Sequence, residues 1–547
     1  MNVNNTAEKQ YNKQNNKQKK DNILLIEKGK RGFWKVVFGR TMIMAVFCLA
    51  QILAFFLLSA YVTRFFPAYT VLGFHAGLAL ILALFIINRP GNPSYKISWL
   101  VLILAFPIFG ILMYFFTRMQ LGNRIIRSRL REILDKTRGY LNQNEIANAG
   151  LKKKDPASGG LSDYLYKSSC LPTYANNSVK YFPLGEDKFE ELVKQLKTAK
   201  KYIFMEYFIV EEGLMWGTIL KILEDKVQEG VEVRFMYDGM NAMARVPYNY
   251  YKKIRALGIQ CKVFSPIHPV LSTHYNNRDH RKICVIDGKT AFTGGINLSD
   301  EYINKKEMFG HWKDVGVMIQ GSAVKSFTLM FLQMWDVGGE EETDYQKYLI
   351  PGDYLPEELA AMNRETGYVI PYCDIPLDDE DVAQNVYLKI INDARQYVHI
   401  MTPYLVLDYE TKDALKFAAE RGVDVAIVLP HIPDKKYAFA LAKSNYAELI
   451  KSGVKIYEYT PGFVHAKLMV SDNRKAAVGS VNLDFRSFYL HYECGLYMYD
   501  VGEVGRIEDD FLMTKSKSQL ETLEDVKNRS LFMKVSGFLM KVMAPLI

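Results

Sequence analysis

The stretches HRKICVID, residues 280–287, and HAKLMVSD, residues 465–472, carry histidine, lysine and aspartate at the same spacing. A single histidine-x-lysine pattern is close to chance and is typical of an exposed strand. Two complete copies at matching places in one chain are a much stronger signal. Two such copies indicate that the sequence around them is repeated as well.

The repeat extends well upstream of both motifs. In each half a glycine ends a helix and a strand follows, which is the usual order of a helix C-terminus and the next element. Alternating helix and strand segments predict an α/β fold, here two similar halves packed as a pseudo-dimer. The corresponding segments are AKKYIFMEYFIV (199–210) with ARQYVHIMTPYLVL (394–407), EGVEVRFMYDG (229–239) with RGVDVAIVLPH (421–431), and YKKIRALGIQCKVFSP (251–266) with YAELIKSGVKIYEYTP (446–461).

Each motif is interpreted as a strand, in which side chains two positions apart point to the same face. Histidine and lysine can then reach one ligand. The aspartate falls on the opposite face, which favours a structural hydrogen-bonding role for it. The residues that carry the pattern are the candidate catalytic set: His280, Lys282, Asp287, His465, Lys467 and Asp472.

A glycine-containing tetrapeptide begins seven residues after each aspartate: Gly294-Gly295-Ile296-Asn297 and Gly479-Ser480-Val481-Asn482. Glycine lets the backbone turn tightly and approach a ligand closely. An asparagine amide can donate to a phosphate oxygen, as can a lysine ammonium. The predicted phosphate-binding residues are therefore Lys282, Asn297, Lys467 and Asn482.

The charge of the chain is unevenly distributed. Its 547 residues exceed one ordinary domain. The net charge is +9, and residues 1–40, 41–117 and 118–138 carry +7, +3 and +5, so residues 139–547 carry −6. An acidic body is a poor match for a polyanion, so no nucleic acid partner is expected. The basic residues flank apolar segments, where anionic lipid headgroups would meet them.

Three uncharged runs qualify as membrane spans by length, since a helix needs about 20 apolar residues to cross a bilayer. The first is too long for a signal peptide and lacks a cleavage site. The segments before the first run and after the third are both basic, so both favour the cytoplasm, whereas three full spans would put them on opposite sides. Either one run is interfacial or re-entrant, or the charge rule does not hold for this chain. The runs are residues 42–62, 69–88 and 97–117.

The six cysteines, at positions 48, 170, 261, 284, 373 and 494, form no CxxC pair. Their spacing indicates neither a disulfide framework nor a zinc site. No metal and no cofactor are expected, because no carboxylate cluster suggests a cation site. Cysteines without a framework favour a reducing compartment.

The paired motifs resemble the phospholipase D superfamily, whose mark is two HxKxxxxD motifs. Other stretches are similar to bacterial cardiolipin synthases, and the resemblance covers essentially the whole chain. It implies transfer of a phosphatidyl group between two phosphatidylglycerol molecules, giving cardiolipin and glycerol, with the catalytic domain on the cytoplasmic face of a cell membrane. The stretches are WLVLILAFPIFGILMYFF (99–116), NRDHRKICVIDG (277–288), GFVHAKLMVSD (462–472) and APLI (544–547).

Two imidazoles suit phosphodiester exchange. A neutral imidazole attacks phosphorus and forms a phosphohistidine, while a protonated imidazole donates to the leaving alcohol and later deprotonates the incoming one. Lysine and asparagine stabilise the phosphoryl oxygens. The residues leave open which histidine attacks, and the family resemblance favours His280 as nucleophile and His465 as general acid and base.

An acid should orient each histidine and raise its basicity. The segments HWKDVGVMI (311–319) and HYECGLYMY (491–499) correspond in the repeat, and Asp314 and Glu493 are the predicted orienting acids. The superfamily resemblance places such acids there. Glu206 has two equally good interpretations, a side chain that enters the site or a buried acid with a structural partner. His311 and His491 are both interpreted as structural.

The C-terminal stretch SLFMKVSGFLMKVMAPLI, residues 530–547, has its apolar residues on one helical face and its lysines off that face. This pattern is typical of an interfacial membrane helix or of a helix packed on a core. The expected organisation is a disordered basic tail, a membrane region, a basic linker helix, two phospholipase D-like halves and an amphipathic helix, at residues 1–40, 41–118, 119–160, 161–350, 351–525 and 526–547.

Three other functions compete with the synthase. The first alternative is a membrane-bound phospholipase D that passes the phosphatidyl group to water and releases phosphatidic acid. The second is a nuclease of the same superfamily, which the apolar runs and the acidic body disfavour. The third is an inactive scaffold, which two complete motifs disfavour. Phospholipids and the membrane are the expected partners, and the sequence gives no oligomeric state.

Overall fold

Two mixed α/β halves make up the body of the protein in its computed structural model. The expected tail at residues 1–40 and nearly all of the first apolar run lie outside the described residues. The structure describes residues 68–105, 110–111, 113–115, 121–241, 245–266, 276–339, 343–349, 366–378 and 380–546, with single positions at 49, 53, 57, 60, 61 and 64.

Among the described residues, five helices with defined bounds precede the first strand. The first two belong to the apolar region, and the third is the expected basic linker helix. Its Leu130 and Ile133 are buried in the main core. The helices are α1 (Ala68–Asn88), α2 (Pro93–Ala105), α3 (Leu121–Thr137), α4 (Glu145–Lys154) and α5 (Pro156–Ser169).

The first half alternates strands and helices as the sequence predicts. Its elements, with one 3₁₀ helix at Asp300–Ile303, are β1 (Tyr174–Ala175), β2 (Ser178–Phe182), α6 (Gly185–Lys197), β3 (Tyr202–Tyr207), α7 (Leu214–Gln228), β4 (Glu232–Asp238), α8 (Tyr250–Arg255), β5 (Gln260–Phe264), β6 (Arg278–Asp279), β7 (Lys282–Ile286), β8 (Thr290–Gly294), β9 (His311–Lys313), β10 (Gly316–Gln320), α9 (Val324–Val337) and α10 (Gln346–Leu349).

The second half repeats this order and ends in three further helices. Its elements, closed by a 3₁₀ turn at Ala544–Leu546, are β11 (Tyr368–Asp374), α11 (Val382–Asp393), β12 (Tyr397–Met401), β13 (Leu405–Val406), α12 (Tyr409–Glu420), β14 (Asp424–Pro430), α13 (Lys436–Lys451), β15 (Lys455–Tyr459), β16 (Gly462–Val464), β17 (Leu468–Ser471), β18 (Lys475–Gly479), β19 (Leu483–Asp484), α14 (Phe485–Tyr489), β20 (His491–Tyr499), α15 (Glu503–Ser516), β21 (Ser518–Leu520), α16 (Leu523–Asn528) and α17 (Leu531–Met543).

The two large sheets have equivalent strand orders. The first runs β2-β10-β8-β7-β3-β4-β5 and the second β1-β11-β20-β18-β17-β12-β14-β15-β21. In each half the motif strand, β7 or β17, pairs antiparallel with both of its neighbours, and the next two strands continue in parallel. The repeat predicted from sequence is therefore a repeat of sheet topology.

Alternate side chains of each motif strand point into a hydrophobic core that the two halves share. Ile283 and Val285 of β7 and Leu468 and Val470 of β17 share one core that spans both halves. The intervening Cys284 packs instead into the core between the first sheet and its own helices. Successive side chains of a strand point to opposite faces, so a continuous apolar run lets one strand bury both faces. The two halves thus pack sheet against sheet, as a pseudo-dimer would.

The third apolar run, expected to be one straight span, folds back on itself. A Cβ added to Gly110 would lie 2.6 Å from the Cα of Ile103. The Trp99 and Tyr114 rings are 5.4 Å apart. In a continuous helix these pairs would be separated by about 10 Å and about 22 Å along the axis. Pro107, which has no N–H to donate, lies between them in the sequence, and the run does not form one straight helix.

The expectation of spanning helices is not reproduced. Within the ranges that the structure describes, no helix combines the length and the apolar character needed to cross a bilayer. Helix α1 covers the whole of the second expected run, and α2 is only 13 residues long. Both helices leave large apolar side chains exposed, including Ile81, Phe85 and Val101.

The start of the first half lies later than residue 161. Leu161 and Leu165 of α5 are buried in the core of the second half. The Ser158 hydroxyl lies 2.8 Å from the hydroxyl of Tyr497 in that half. Strand β1 also joins the second sheet, where it pairs with β11. Helices α4 and α5 therefore pack across the second half, because their buried apolar side chains lie in its core.

The five cysteines that fall within the described residues are all free: Cys170, Cys261, Cys284, Cys373 and Cys494. Four of them are buried, and burial raises the pKa of each of those four thiols.

Candidate active site

Two short strand pairings across the halves position the motif histidines. Strand β6 pairs in parallel with the start of β20, and β16 pairs in parallel with β9. The backbone N–H of His280 donates to the carbonyl of Tyr492 at 3.0 Å, and that of His465 donates to the carbonyl of Lys313 at 2.7 Å. Each histidine therefore begins its motif beside a strand of the opposite half.

These pairings give each histidine an acid from the other half. Nδ1 of His280 lies 2.9 Å and 3.0 Å from the two carboxylate oxygens of Glu493. Nδ1 of His465 lies 2.6 Å from Oδ2 of Asp314. A carboxylate accepts, so Nδ1 carries the proton and Nε2 keeps its lone pair. The predicted acids and histidines are thus brought together, and the connections cross between the halves.

The acids are held by different neighbours in the two halves. A Cβ on Gly295 would lie 2.1 Å from Oδ1 of Asp314, so only glycine admits this carboxylate. At the equivalent position Ser480 donates its hydroxyl to Glu493. Both carboxylates are fully buried. Buried acceptors need partners, and the histidines are among those partners.

The motif lysines lie beside the histidines. Each donates its ammonium to the carbonyl oxygen of the histidine two residues before it, Lys282 to His280 and Lys467 to His465. Burial lowers the pKa of Lys282 to about 8 and that of Lys467 to about 7, against the partial support of Glu493 and Asp314. Both ammonium groups are therefore available to an anion in a site with little water.

Burial also lowers the pKa of both histidines. The charges of Lys282 and Lys467 add to burial in holding the pKa of His280 well below 6.5. Burial and then Lys467 lower the pKa of His465 to about 4, while Asp314 opposes them. Both imidazoles are consequently neutral in the empty enzyme at pH 7. An anionic ligand would raise both pKa values by supplying the missing negative charge.

The two asparagines predicted to bind phosphate differ from each other in their hydrogen bonds. Oδ1 of Asn297 accepts from the backbone N–H of Ile209 at 2.9 Å, and its Nδ2 donates to the Tyr302 hydroxyl at 2.8 Å. This amide therefore holds loop backbone and leaves one N–H unused. Asn482 is buried, and its Oδ1 has no hydrogen-bond partner. Of the two, Asn482 has the freer amide.

The motif aspartates lie at the far end of each motif strand from the histidines. Asp287 accepts from three successive backbone N–H groups, of Lys200, Lys201 and Tyr202, at 2.7–2.8 Å. Asp472 does the same for residues 395–397 at 2.8–2.9 Å. Both adopt positive φ values of 52° and 55°. The geometry gives them the structural role that strand alternation predicts, and removes them from direct catalysis.

Replacing Asp287 with alanine is expected to destabilise the protein without altering the chemistry of the site. Three backbone N–H groups would lose their acceptor, at a cost of about 3 kcal/mol or more. The thermal midpoint measures this loss, and Asp472→Ala is the matched change in the other half. A large fall in turnover by fully folded Asp287→Ala enzyme would contradict the structural role.

Strand register corrects the interpretation of His491. Gly316 pairs with Gly294 and Gly495 pairs with Gly479, so Trp312 is the equivalent of His491. The Trp312 ring lies 5.3 Å from that of His465, and the His491 ring lies 5.3 Å from that of His280. His491 is therefore a third histidine of the site. Counting back from the paired glycines in the sequence would have placed it there.

His491 faces the same carboxylate as His280. Arg486 donates its Nε–H to Nε2 of His491 at 3.3 Å, so Nδ1 carries the proton. That nitrogen lies 3.6 Å from Oε1 of Glu493. Burial lowers the pKa of His491 to about 3. This imidazole is consequently neutral and directs its N–H towards Glu493.

The other side chains noted from sequence are structural. Glu206 forms a buried ion pair with Arg281, with Oε1 2.5 Å and 2.9 Å from two guanidinium nitrogens. His311 is only half-buried, and its Nδ1 lies 3.1 Å from the Tyr459 hydroxyl. Aromatic rings that the sequence analysis did not single out surround the histidines, Phe208 beside His280 and Tyr302 beside His465.

One group of side chains has metal-ligand spacing. The ligand atoms of His280, His491 and Glu493 lie within 4.8 Å of one another. Glu493 already accepts from His280 and Ser480, and Arg486 already donates to the outer nitrogen of His491. These hydrogen bonds account for the cluster as an orienting network around one carboxylate.

Two buried histidine–carboxylate pairs, each with an adjacent lysine, define an enzyme of the phosphodiester-transfer class with phospholipase D architecture. Comparisons with known proteins agree. The family described as "Cardiolipin synthase, PLD-like domain" matches residues 192–335 and 387–514. The family described as "Phospholipase_D-nuclease N-terminal" matches residues 77–118.

Individual proteins extend the match over most of the chain. A Streptococcus mutans protein described as uncharacterized is 49% identical over 464 residues, which are 85% of this chain and 99% of that protein. A cardiolipin synthase of Alkalihalophilus pseudofirmus is 31% identical over 468 residues, which are 85% and 91% of the two chains. The chain belongs to the cardiolipin synthase family of the phospholipase D superfamily, and it is a phosphatidyltransferase.

A solved structure supports the fold. The phosphatidylserine synthase of Haemophilus influenzae superposes with a TM-score of 0.52 at 14% identity, covering 72% of this chain and 98% of its own. At this identity the likeness concerns the architecture of two α/β halves alone.

Proposed function

We propose that the protein joins two phosphatidylglycerol molecules into cardiolipin and glycerol, through a phosphatidyl group bound to His280. The observation that carries the mechanism is the pair of buried neutral imidazoles, each held at Nδ1 by an acid from the opposite half. One site thereby contains a nucleophile and a proton carrier.

In the first step Nε2 of His280 attacks the phosphorus of phosphatidylglycerol. The P–N bond forms and the P–O bond to the headgroup glycerol breaks, with its electron pair going to that oxygen. Protonated His465 supplies the proton that completes glycerol. Lys282 and Lys467 hold the non-bridging oxygens, where charge develops. Glu493 stabilises the positive charge on the substituted imidazole.

In the second step the headgroup hydroxyl of another phosphatidylglycerol gives its proton to Nε2 of His465. Its oxygen attacks phosphorus, the P–N bond breaks, and the electron pair returns to His280. Before cardiolipin leaves, His465 has regained the proton that it gave to glycerol. Only 6% of His280 and 9% of His465 are exposed, which favours a lipid alcohol over water as the acceptor.

The charges around the two histidines support His280 as nucleophile. Burial and the charges of Lys282 and Lys467 hold the pKa of His280 well below its usual range, which keeps its lone pair free for attack. His465 has Asp314 at 2.6 Å, which raises its pKa and supports a proton on it. The same arrangement supports His465 as general acid and base.

The membrane is the proposed location, with the catalytic halves on the cytoplasmic side. Exposed apolar side chains of α1, α2 and α17, among them Phe85, Val101 and Phe538, supply the lipid contact. The basic segment at residues 118–138 follows directly and suits anionic headgroups. The two expected halves, the linker helix and the C-terminal helix remain the proposed organisation. The packing of α5 and β1 against the second half supports a start of the first half at about residue 176.

Product analysis tests this function. The full-length enzyme is incubated with phosphatidylglycerol in mixed micelles, and the products are separated. Cardiolipin and glycerol in equal amounts are expected. Phosphatidic acid as the main product would instead make the protein a membrane-bound phospholipase D.

Activity is expected to be unchanged after chelation with EDTA and gel filtration into metal-free buffer. The proposed steps use only imidazole, carboxylate and ammonium groups. Turnover measured before and after chelation, and again after adding Mg²⁺ or Zn²⁺, checks this expectation. A loss that one cation restores would assign a metal to the cluster at His280, His491 and Glu493.

The pH profile of kcat/KM is expected to fall on its basic side between about pH 7 and 8. Lys467 loses its proton as the pH rises through about 7, and Lys282 as it rises through about 8. Each uncharged amine binds phosphate oxygens less well. Because arginine keeps its charge, Lys467→Arg should move this limb upward. A wild-type profile that stays flat to pH 9 would contradict the lowered pKa values.

A further inference from the structure

A cavity with one polar and one apolar end opens between α13, α14 and α17. Its enclosed volume is about 50 Å³, and about 470 Å³ of empty space is present when the open mouth is counted. Its polar lining includes Lys435, Asp484 and Arg486, and its apolar lining includes Leu441, Phe485 and Met540. The cavity is therefore amphipathic along its length, as a phospholipid is.

The polar end adjoins the active site. Arg486 donates to His491, whose ring lies 5.3 Å from that of His280. Lys435 packs its ammonium over the Tyr404 ring at 4.9 Å. The charge of Lys435 is also one of those that lower the pKa of His280. An anionic headgroup at this end would be within the electrostatic reach of the nucleophile.

The C-terminal helix α17 covers the apolar end of the cavity. A Cβ on Gly537 would lie 2.8 Å from the carbonyl oxygen of Ala440, so α17 sits directly against α13. Ala544, which follows the helix, packs with Leu441 and Phe485, and Met540 packs against this group. The face of α17 that contacts the body is thus the one that carries Gly537 and Met540.

The face of α17 that points away from the body is the apolar face that the sequence predicts, and it is exposed. Its exposed side chains are Leu531, Phe532, Val535, Phe538 and Leu539. Phe532 is 83% exposed, and Lys534 and Lys541 lie off this apolar row. Helix α2 lies beside α17, and its Tyr95 packs against Phe485 of α14. Helix α2 adds further exposed apolar surface. The cavity therefore opens along a surface suited to lipid.

We propose that this cavity holds an acyl chain of the phosphatidyl donor while the bilayer covers the outer face of α17. The headgroup phosphate lies towards Lys435 and Arg486, and the chain runs past Phe485 and Met540 to the membrane. The proposal rests on the phosphatidyl transfer proposed above. It assigns to the C-terminal helix the role of one wall of the lipid entrance.

Filling the apolar end tests the proposal. Met540→Trp is compared with Met513→Trp, since Met513 is 60% exposed on α15 and does not line the cavity. Both full-length variants are assayed with dioleoyl and with dihexanoyl phosphatidylglycerol. We expect Met540→Trp to lower kcat/KM for the dioleoyl lipid about tenfold and to leave the short-chain lipid within about twofold, because only the long chain reaches the filled space.

The outcomes separate this proposal from the function itself. Equal loss with both lipids, or no loss with either, would overturn the acyl-chain site. Wild-type enzyme that makes cardiolipin from neither lipid would overturn the proposed function instead. If Met540→Trp fails to fold, photolabelling of the wild type decides. A phosphatidylglycerol with a diazirine near the chain end should label peptides that contain Met540 or Phe485, and labelling confined to other peptides would overturn the site.

Discussion

Replacing His280 with alanine is expected to abolish cardiolipin formation, with a fall in kcat of about 10⁴-fold or more. We expect no other imidazole to take over the attack, because the proposal assigns proton transfer to His465 and Nε2 of His491 accepts from Arg486. A lipid substrate with p-nitrophenol as its leaving group separates attack from proton donation, since nitrophenolate departs without a proton. His280→Ala should release no nitrophenol from it in a single turnover.

His465→Asn is the matched variant. It should release about one equivalent of nitrophenol per enzyme in a burst and then stop, because the incoming alcohol lacks its base. Mass spectrometry of the stalled enzyme should find the phosphatidyl group on His280. The reverse result, with a burst from His280→Ala and label on His465, would exchange the two roles.

Neutralising the orienting acids is expected to cost about 10²- to 10⁴-fold in kcat, with the effects crossed between the halves. Asp314 holds His465 and Glu493 holds His280. Asp314→Asn should therefore resemble His465→Asn, with strong loss on phosphatidylglycerol and a retained nitrophenol burst. Glu493→Gln should resemble His280→Ala and lose the burst.

Asp510→Asn is the control for a buried acid outside the site, since Asp510 pairs with Lys313 at 2.7 Å. It should lower the thermal midpoint and leave the ratio of burst to turnover unchanged. If Asp314→Asn lost the burst and Glu493→Gln kept it, each acid would serve the histidine of its own half. That result would contradict the crossed connections that the strands show.

Much of the fold follows from periodicity. A continuous apolar run such as KICVI can only be a strand covered on both faces, and β7 is buried throughout. Matching glycines and motif positions then predict two equivalent sheets, which the strand orders confirm. The third apolar run shows the limit of this reasoning. Its composition suits a straight span, but the contact of Gly110 with the backbone of Ile103 depends on which residues meet, and hydropathy carries no such information.

The site was also predictable only in part. The histidines, lysines and acids are marked by residue type and spacing. His491 was interpreted as structural, but its ring lies 5.3 Å from that of His280. Its place depends on strand register, because successive side chains of a strand alternate in direction. Asn297 shows a different limit. Its residue type suits phosphate, but its amide is used on Ile209, 88 positions away, and on Tyr302 of the neighbouring 3₁₀ helix.

The sequence by itself determined that two HxKxxxxD motifs belong to a repeated α/β unit and that two histidines form one site. Local spacing is sufficient for this, because strand alternation and motif chemistry act over a few residues. Only the tertiary structure decided that Glu493 serves His280 and Asp314 serves His465. That assignment depends on β6 meeting β20 and β16 meeting β9 across the halves, and pairing between distant strands is set by the packing of the whole shared core.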